Sequence, residues 1–366
     1  AVSGDGKGRV RFLRRQNRMK RKFAFTVLMG LIVGAAALSS CSKENEQPKP
    51  KPTPTPTPKE EPKPTNGLPE ITKVTFRIGE SHLHSKKGIH FLGNNAVLNH
   101  SLLKQEQLIT FVKKGNDWAL EAGSPDRLLA IEMIQYIQKD ITSAAPDYAL
   151  WVSYFDAQGK QVNAAYADAK VRSQYQLFLY PTEVKAFEGQ EAITFDPKDP
   201  TNVLRYEYCD SDPWDKSVQK SLKQDPEDKQ AKWLPSTEPI GMKGYMQFPK
   251  VSHFKLHLAL WHAPEGKLQA GRPAPFFAPN EQFTKKGSKI FEVTVPVYVY
   301  GTREFTDELR APFDGKPIPY ANLRDDYKAM ADNLMTGLGT KDWLKVAEDF
   351  IRIYKGTGGE GGGEEF

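Results

Sequence analysis

Cysteine is scarce. Cys41 and Cys209 are the only two in 366 residues, so no disulfide framework exists and a packed core must hold the fold. Long apolar runs are missing too. The longest, "FAFTVLMGLIVGAAAL" at residues 23–38, falls short of the roughly 20 residues a membrane-spanning helix needs. Catalytic signatures are absent: no G-x-S-x-G elbow, no H-E-x-x-H helix and no C-x-x-C pair. "GLGTKDW" looks like a phosphate loop only superficially, since no apolar strand precedes it. Carboxylate pairs for glycoside hydrolysis need only meet in space, so that chemistry stays open. The expectation is a binding protein and not an enzyme.

Positive charge is also missing from the body of the chain. The formal total is +6, but residues 1–40 hold nine basic residues and one acid, a net of +8, which leaves −2 for residues 41–366. Nucleic-acid binding therefore has no electrostatic footprint outside the leader. That leader has a charged region at Lys20, Arg21 and Lys22, a short apolar run, and then "LSSC" ending at Cys41. "LSSC" resembles the lipobox of bacterial lipoproteins, and "SKENE" after it resembles the export signal of surface-displayed Bacteroidota lipoproteins. The resemblance covers residues 19–46. It implies a signal peptide over 19–40, acylation of Cys41, and a chain held on the outer membrane by lipid and facing outward. Met19 reads as the initiator, and residues 1–18 are set aside as an upstream extension.

Proline recurs at nearly every second position in "QPKPKPTPTPTPKEEPKPT", residues 47–65. Proline fixes φ and removes a donor, so 41–66 reads as a lipidated cysteine plus a polyproline-II spacer, reaching roughly 50–60 Å. "GTGGEGGGEEF" has no core-forming residues before Phe366, and 357–366 reads as a flexible Gly/Glu tail.

Residues 67–356 between them read as one β-rich globular region. "ITKVTFRI" alternates Val74, Phe76 and Ile78 against Lys73, Thr75 and Arg77. "QLITFVKKGNDWALEAG" reads as a hairpin turning at Gly115, and "YALWVSYFDAQGKQVNAAYA" repeats the scheme around Gly159. The Pro249-Lys250 turn is expected to join "GYMQF" to "SHFKLHLALWH" as another hairpin. "SPDRLLAIEMIQYIQ" is ambiguous: Ser124 and Pro125 suit a helix start, and the apolar run suits a strand equally. Apolar residues at i, i+3, i+4 spacing predict two helices over 320–355. The expected architecture is an antiparallel β-sandwich with a C-terminal helical element.

All seven histidines fall in two windows: His82, His84, His90 and His100, then His253, His257 and His262. On an extended strand His82 and His84 share a face, as do His253 and His257, while His262 faces the other way. Such pairs have ligand geometry for a transition metal (Zn, Cu, Fe) or an axial haem contact. If the first and last strands of the sandwich were neighbours, the two windows would converge on one guest. Handover to a TonB-dependent outer-membrane receptor is the partner this reading implies. Met242 and Met246, expected on the strand pairing with His253, would add soft ligands, although core filling explains them as well.

"CDSDPWDKS" spaces Asp210, Asp212 and Asp215 closely enough for calcium but lacks the EF-hand glycine and terminal acid. A helix cap at Asp212 with Pro213 at N1 accounts for the same residues. Cys209 follows a strand-like run and reads as a buried, inert thiol. Six tryptophans and many tyrosines support an alternative function, a glycan- or protein-binding module or an adhesin subunit, in which aromatics form the contact.

Overall fold

The computed structural model describes residues 67–83, 89–91, 106–138, 141–187, 190–218, 231–300, 316–355 and 364–365. All lie in the second of the two units of the chain, Glu60–Phe366. His84, His100, Cys41 and the proline-rich spacer lie outside the described residues. Among the described residues, no helix is long and apolar enough to cross a membrane.

In chain order the strands are β1 (Lys73–Leu83), β2 (Ile89–Phe91), β3 (Glu106–Lys114), β4 (Asp117–Leu120), β5 (Leu128–Ile131) and β6 (Ile134–Gln138). They continue with β7 (Ile141–Ala145), β8 (Asp147–Phe155), β9 (Tyr175–Lys185), β10 (Arg205–Tyr208) and β11 (Ser211–Asp212). The remainder are β12 (Lys232–Trp233), β13 (Lys243–Gln247), β14 (Ser252–His262), β15 (Ser288–Tyr300) and β16 (Glu364–Glu365). Among the described residues the α-helices are α1 (Asn163–Ala167), α2 (Glu281–Thr284), α3 (Asp325–Leu338) and α4 (Trp343–Lys355).

The first sheet runs β10-β13-β8-β1, and beyond β1 it forks into β3-β4 and β2-β16. The second runs β5-β15-β14-β9, antiparallel except for the parallel β15–β5 pair. The alternation on β1 explains the layering. Val74, Phe76 and Ile78 are buried, and they share one core with Leu150, Val152 and Tyr154 of β8. The facing sheet contributes Phe254, Leu256, Leu258 and Leu260 of β14, and Phe291, Val293, Val295, Val297 and Val299 of β15. Each such side chain contributes about 1.5–3 kcal/mol by burial. The other face of β1 is polar, with Arg77 forked onto Glu106 at 3.0 and 3.2 Å. The protein is a mainly β, two-sheet sandwich, as the alternation predicts.

The hairpin at Gly115 forms as β3–β4, with φ 65° at the glycine. The C-terminal helices form as well, and Gly339 ends α3 in a left-handed cap with its N–H on Thr336 O. These helices bury Ala331, Leu334, Trp343, Val346 and Ala347 against Ile131, Phe187 and Tyr300.

One ambiguity is resolved and two local expectations change. "SPDRLLAIEMIQYIQ" is extended (β5 and β6): Ser124 Oγ takes the Thr110 N–H at 2.8 Å, and the Tyr148 hydroxyl accepts the Ile131 N–H at 2.7 Å. The arm after Gly159 is the short helix α1 and not a strand. Asn163 makes the difference: Oδ1 accepts the Tyr154 N–H at 2.7 Å and Nδ2 donates to Val152 O at 2.8 Å, so a side chain replaces the ladder. Finally, Pro249-Lys250 joins no hairpin. β13 pairs with β8 and β10 in the first sheet, while β14 lies in the second. The turn crosses between layers.

Candidate ligand-binding cleft

The described histidines of the two windows occupy different sheets. His82 and His90 are cross-strand partners on β1 and β2 of the first sheet. His253, His257 and His262 lie on β14 of the second. Even-numbered residues of β14 face the shared core, so His253 and His257 project from its outer side together with Lys255, sharing a face as the spacing predicts. His262 is buried on the opposite side, stacked on Tyr175 at 4.6 Å with Nε2 3.3 Å from Gln174 Oε1.

The outer-face histidines are each absorbed by their own neighbours. The His257 ring stacks on Tyr180 at 4.7 Å. Its Nδ1 lies 2.8 Å from Glu292 Oε1 and its Nε2 lies 2.9 Å from Thr182 Oγ1. Both ring nitrogens are therefore occupied by protein partners, and neither is left over for an ion. His253 packs against Phe187 at 5.3 Å and Tyr298 at 5.9 Å. Burial, then the nearby Lys185 charge, lowers its pKa. Among the described residues, no three His, Cys, Asp or Glu side chains converge as a metal site would require.

The methionines are not ligand candidates beside His253, because β13 does not pair with β14. Met242 and Met246 are fully buried in the core between the sheets. Cys209 is buried and packed with Ala149, as expected.

Asp210 does different work from the one its spacing suggests. Its Oδ2 accepts the N–H groups of Ile240 and Gly241, both at 2.8 Å. Its Oδ1 accepts those of Met242 at 2.8 Å and Lys243 at 3.1 Å. Four donors converging on one carboxylate offer a cation nothing, and they clamp the entry to β13 against the end of β10. Gly241 permits the clamp, with φ 92° and an added Cβ only 2.6 Å from Leu177 Cβ. Asp212 pairs with Arg172 at 2.7 Å instead of capping a helix, because the chain after Pro213 turns and does not coil. Asp215 is exposed.

The clamp builds one wall of a cleft of about 380 Å³ beside β10, the edge strand of the first sheet. Tyr206, Tyr208 and Phe276 supply aromatic surface, and Glu207, Ser236 and Glu238 supply polar lining. Pro235, Pro239, Pro273 and Pro275 stiffen the two bordering loops. Backbone bonds tie both loops to the outer edge of β9: Leu177 N–H donates to Ile240 O and Leu179 N–H to Phe276 O, each at 2.8 Å. Tyr206 sits 4.9 Å from Tyr208 and 5.9 Å from Phe276 between ring centroids. The Tyr208 hydroxyl donates to Leu177 O at 2.6 Å, which locks that ring.

Lys267 and Arg172 hold the other border. Lys267 is 1% exposed and donates to Arg172 O at 2.7 Å, Tyr175 O at 3.0 Å and Pro239 O at 2.6 Å. Burial pushes its ammonium down to about 7. Arg172 forks between Glu238 at 2.8 Å and Asp212. The cleft is therefore pre-shaped before any ligand arrives, apolar-walled and acid-rimmed.

Comparison with protein-family models, curated proteins and solved structures finds no match. The cleft itself was not foreseen. Its signal was present as two proline-aromatic stretches, "WLPSTEPIG" and "GRPAPFFAP", but nothing in their spacing shows that they border one hollow. The tryptophans do not form a platform: Trp343 is buried and the other five are half-buried, with Trp151 packed on Trp214 and Trp118 on Phe291.

Proposed function

We propose that this chain is a surface lipoprotein, anchored at Cys41, that binds a glycan segment in the cleft beside β10. One observation carries the reading. The aromatic and carboxylate lining is held in place by polar side chains bonded to the loops around it: Asp210 on four amides, Lys267 on three carbonyls, Arg172 on Glu238. Sugar recognition needs that combination. Phe276 and Tyr208 offer ring faces for the C–H side of a pyranose. Glu207 and Glu238 offer acceptors for its hydroxyls, and Ser236 offers both donor and acceptor. A rigid lining also limits the ordering entropy lost when a weak polar ligand binds.

The test is a glycan array probed with the purified full chain in detergent, followed by titration of the best ligand. Phe276→Ala and Glu238→Gln should each weaken binding about tenfold, equivalent to about 1.4 kcal/mol. Absence of binding to any glycan, or affinity indifferent to both substitutions, removes the proposal.

A further inference from the structure

Three side chains on the outer side of the second sheet form an unbroken chain of contacts. Thr182 Oγ1 lies 2.9 Å from His257 Nε2, and His257 Nδ1 lies 2.8 Å from Glu292 Oε1. They come from β9, β14 and β15, so no spacing in the sequence announces them. A hydroxyl on one ring nitrogen and a carboxylate on the other is the order in which acyl-transfer sites arrange a nucleophile, its base and the group orienting that base. The ring is held flat against Tyr180, with 3° between the planes. Tyr180 and Lys289 both bond Glu292 and keep its carboxyl lowered despite burial. An ionised carboxylate only accepts, so a ring with one proton carries it on Nδ1 and leaves Nε2 to accept from the Thr182 hydroxyl. The side chains of His257 and Glu292 are 21% and 22% exposed, within reach of a solute.

The backbone beside Thr182 departs from the ladder. Lys255 faces Thr182 and His253 faces Lys185, so Glu183 and Val184 together stand against the single residue Phe254. Glu183 has φ 54°, in the left-handed region that a residue with a Cβ rarely adopts. Such bulges take one residue out of the ladder, re-aim the side chains beside it and recur next to active sites. Lys255, the cross-strand partner of Thr182, adds positive charge, with Nζ 2.7 Å from Glu183 Oε1.

We propose that Thr182, His257 and Glu292 form an esterase site for short carboxylic esters, with Thr182 as nucleophile, His257 as general base and Glu292 as the residue that orients it. Thr182 Oγ bonds to the ester carbonyl carbon while its proton passes to His257 Nε2. An amide of the bulge and the Lys255 charge stabilise the oxyanion that forms. The ester C–O bond then breaks, and the Nε2 proton goes to the leaving alkoxide, releasing an alcohol. Water adds to the acyl-threonine with the same base taking its proton; the bond to Oγ breaks, Thr182 regains its proton, and a carboxylic acid leaves. Thr182 is half-buried between charged Glu183 and Lys255, which suits an acetyl-sized group and not a long apolar chain. The site shares no residue with the cleft beside β10 and is independent of the glycan reading.

The experiment treats the purified full chain in detergent with a small alkyl fluorophosphonate, which a base-activated hydroxyl attacks with loss of fluoride, and reads intact mass and peptide maps. A single phosphonyl group on Thr182 is expected. Turnover of p-nitrophenyl acetate is followed in parallel. Thr182→Val and His257→Gln should each lower labelling and turnover by at least about 100-fold, while Thr182→Ser should retain both. Glu292→Gln should lower kcat by about 100-fold with KM nearly unchanged, a split that loss of a merely structural bond does not produce. His253→Gln, on the same strand and face, should change nothing and controls for hydrolysis by surface imidazoles. Thermal melts of each variant control for misfolding, and Thr182→Ser supplies a variant that keeps the hydroxyl in place. Absence of labelling in the unmodified chain, or labelling and turnover that persist in Thr182→Val, overturns the site. Turnover unmoved in Glu292→Gln overturns the orienting part assigned to that carboxylate.

Discussion

Glu292 and His257 face each other across β15 and β14, with Oε1 2.8 Å from Nδ1. Glu292 also accepts from the Tyr180 hydroxyl and from Lys289. Burial alone would raise this carboxyl, but the bonds from Lys289, Tyr180 and His257 outweigh it and leave it lowered. A lowered carboxylate contributes stability above its unfolded value, and that contribution is lost as pH falls through the folded value. Glu292→Gln should therefore destabilise by about 1–2 kcal/mol at pH 7 and much less near pH 3. Urea unfolding at both pH values checks this; equal losses would refute the electrostatic account.

Asp210 is the junction between β10 and β13. Asn at this position keeps the shape but has a single acceptor oxygen, and its NH₂ would face two of the four amide donors. Asp210→Asn should cost about 3 kcal/mol or more in denaturant unfolding. Glycan affinity should fall with it, because the same clamp shapes the cleft wall. A stability change under about 1 kcal/mol would show that the clamp is dispensable.

Gly244 marks a close approach. A Cβ there would lie 2.3 Å from the Tyr206 hydroxyl oxygen and 2.5 Å from Glu207 O. The backbone oxygen cannot swing aside, so Gly244→Ala should separate β10 from β13 locally and destabilise by about 1–3 kcal/mol. Pairing the change with Tyr206→Phe removes one clash and should recover only part of the loss, as thermal melts can measure.

Asp147 is fully buried at the start of β8, with Oδ1 accepting from Gln247 Nε2 at 2.6 Å. Burial pushes its carboxyl up to about 7, although the Gln247 bond works the other way. A raised carboxyl binds its proton more tightly in the folded state. Its stabilising effect is complete below the unfolded value near 4 and is lost as pH rises through about 7. Asp147→Asn, which keeps an acceptor for Gln247, should raise the melting temperature at pH 8 and leave it nearly unchanged at pH 4. A larger gain at pH 4 than at pH 8 would contradict the assignment.

Much of the fold was legible because β alternation and helical spacing are local signals. Val74, Phe76 and Ile78 announce a buried strand face on their own, and Gly115 and Gly339 announce a turn and a helix end. Pairing partners were less accessible. "GYMQF" and "SHFKLHLALWH" are separated by a proline turn, and a hairpin or a crossing between layers satisfies that stretch equally well. Only the packing of Met242 and Met246 between the sheets selects the crossing. α1 escaped for a similar reason: Asn163 imitates a strand's hydrogen bonds from a helix, and no periodicity records what a side chain will bond to.

The candidate site follows the same division. Composition and order alone determined a non-basic β-rich body, an apolar run and a proline-rich stretch before it in sequence, and the confinement of histidine to two windows. Their meaning rests on long-range register. Hydrogen-bonded pairing put His82 opposite His90, and layering put His253 and His257 on the outside of the other sheet. The edge of the sandwich brought two distant proline loops around one hollow. Such relations depend on which strands become neighbours, and that is decided by burial of the whole core at once, not by any segment's own pattern.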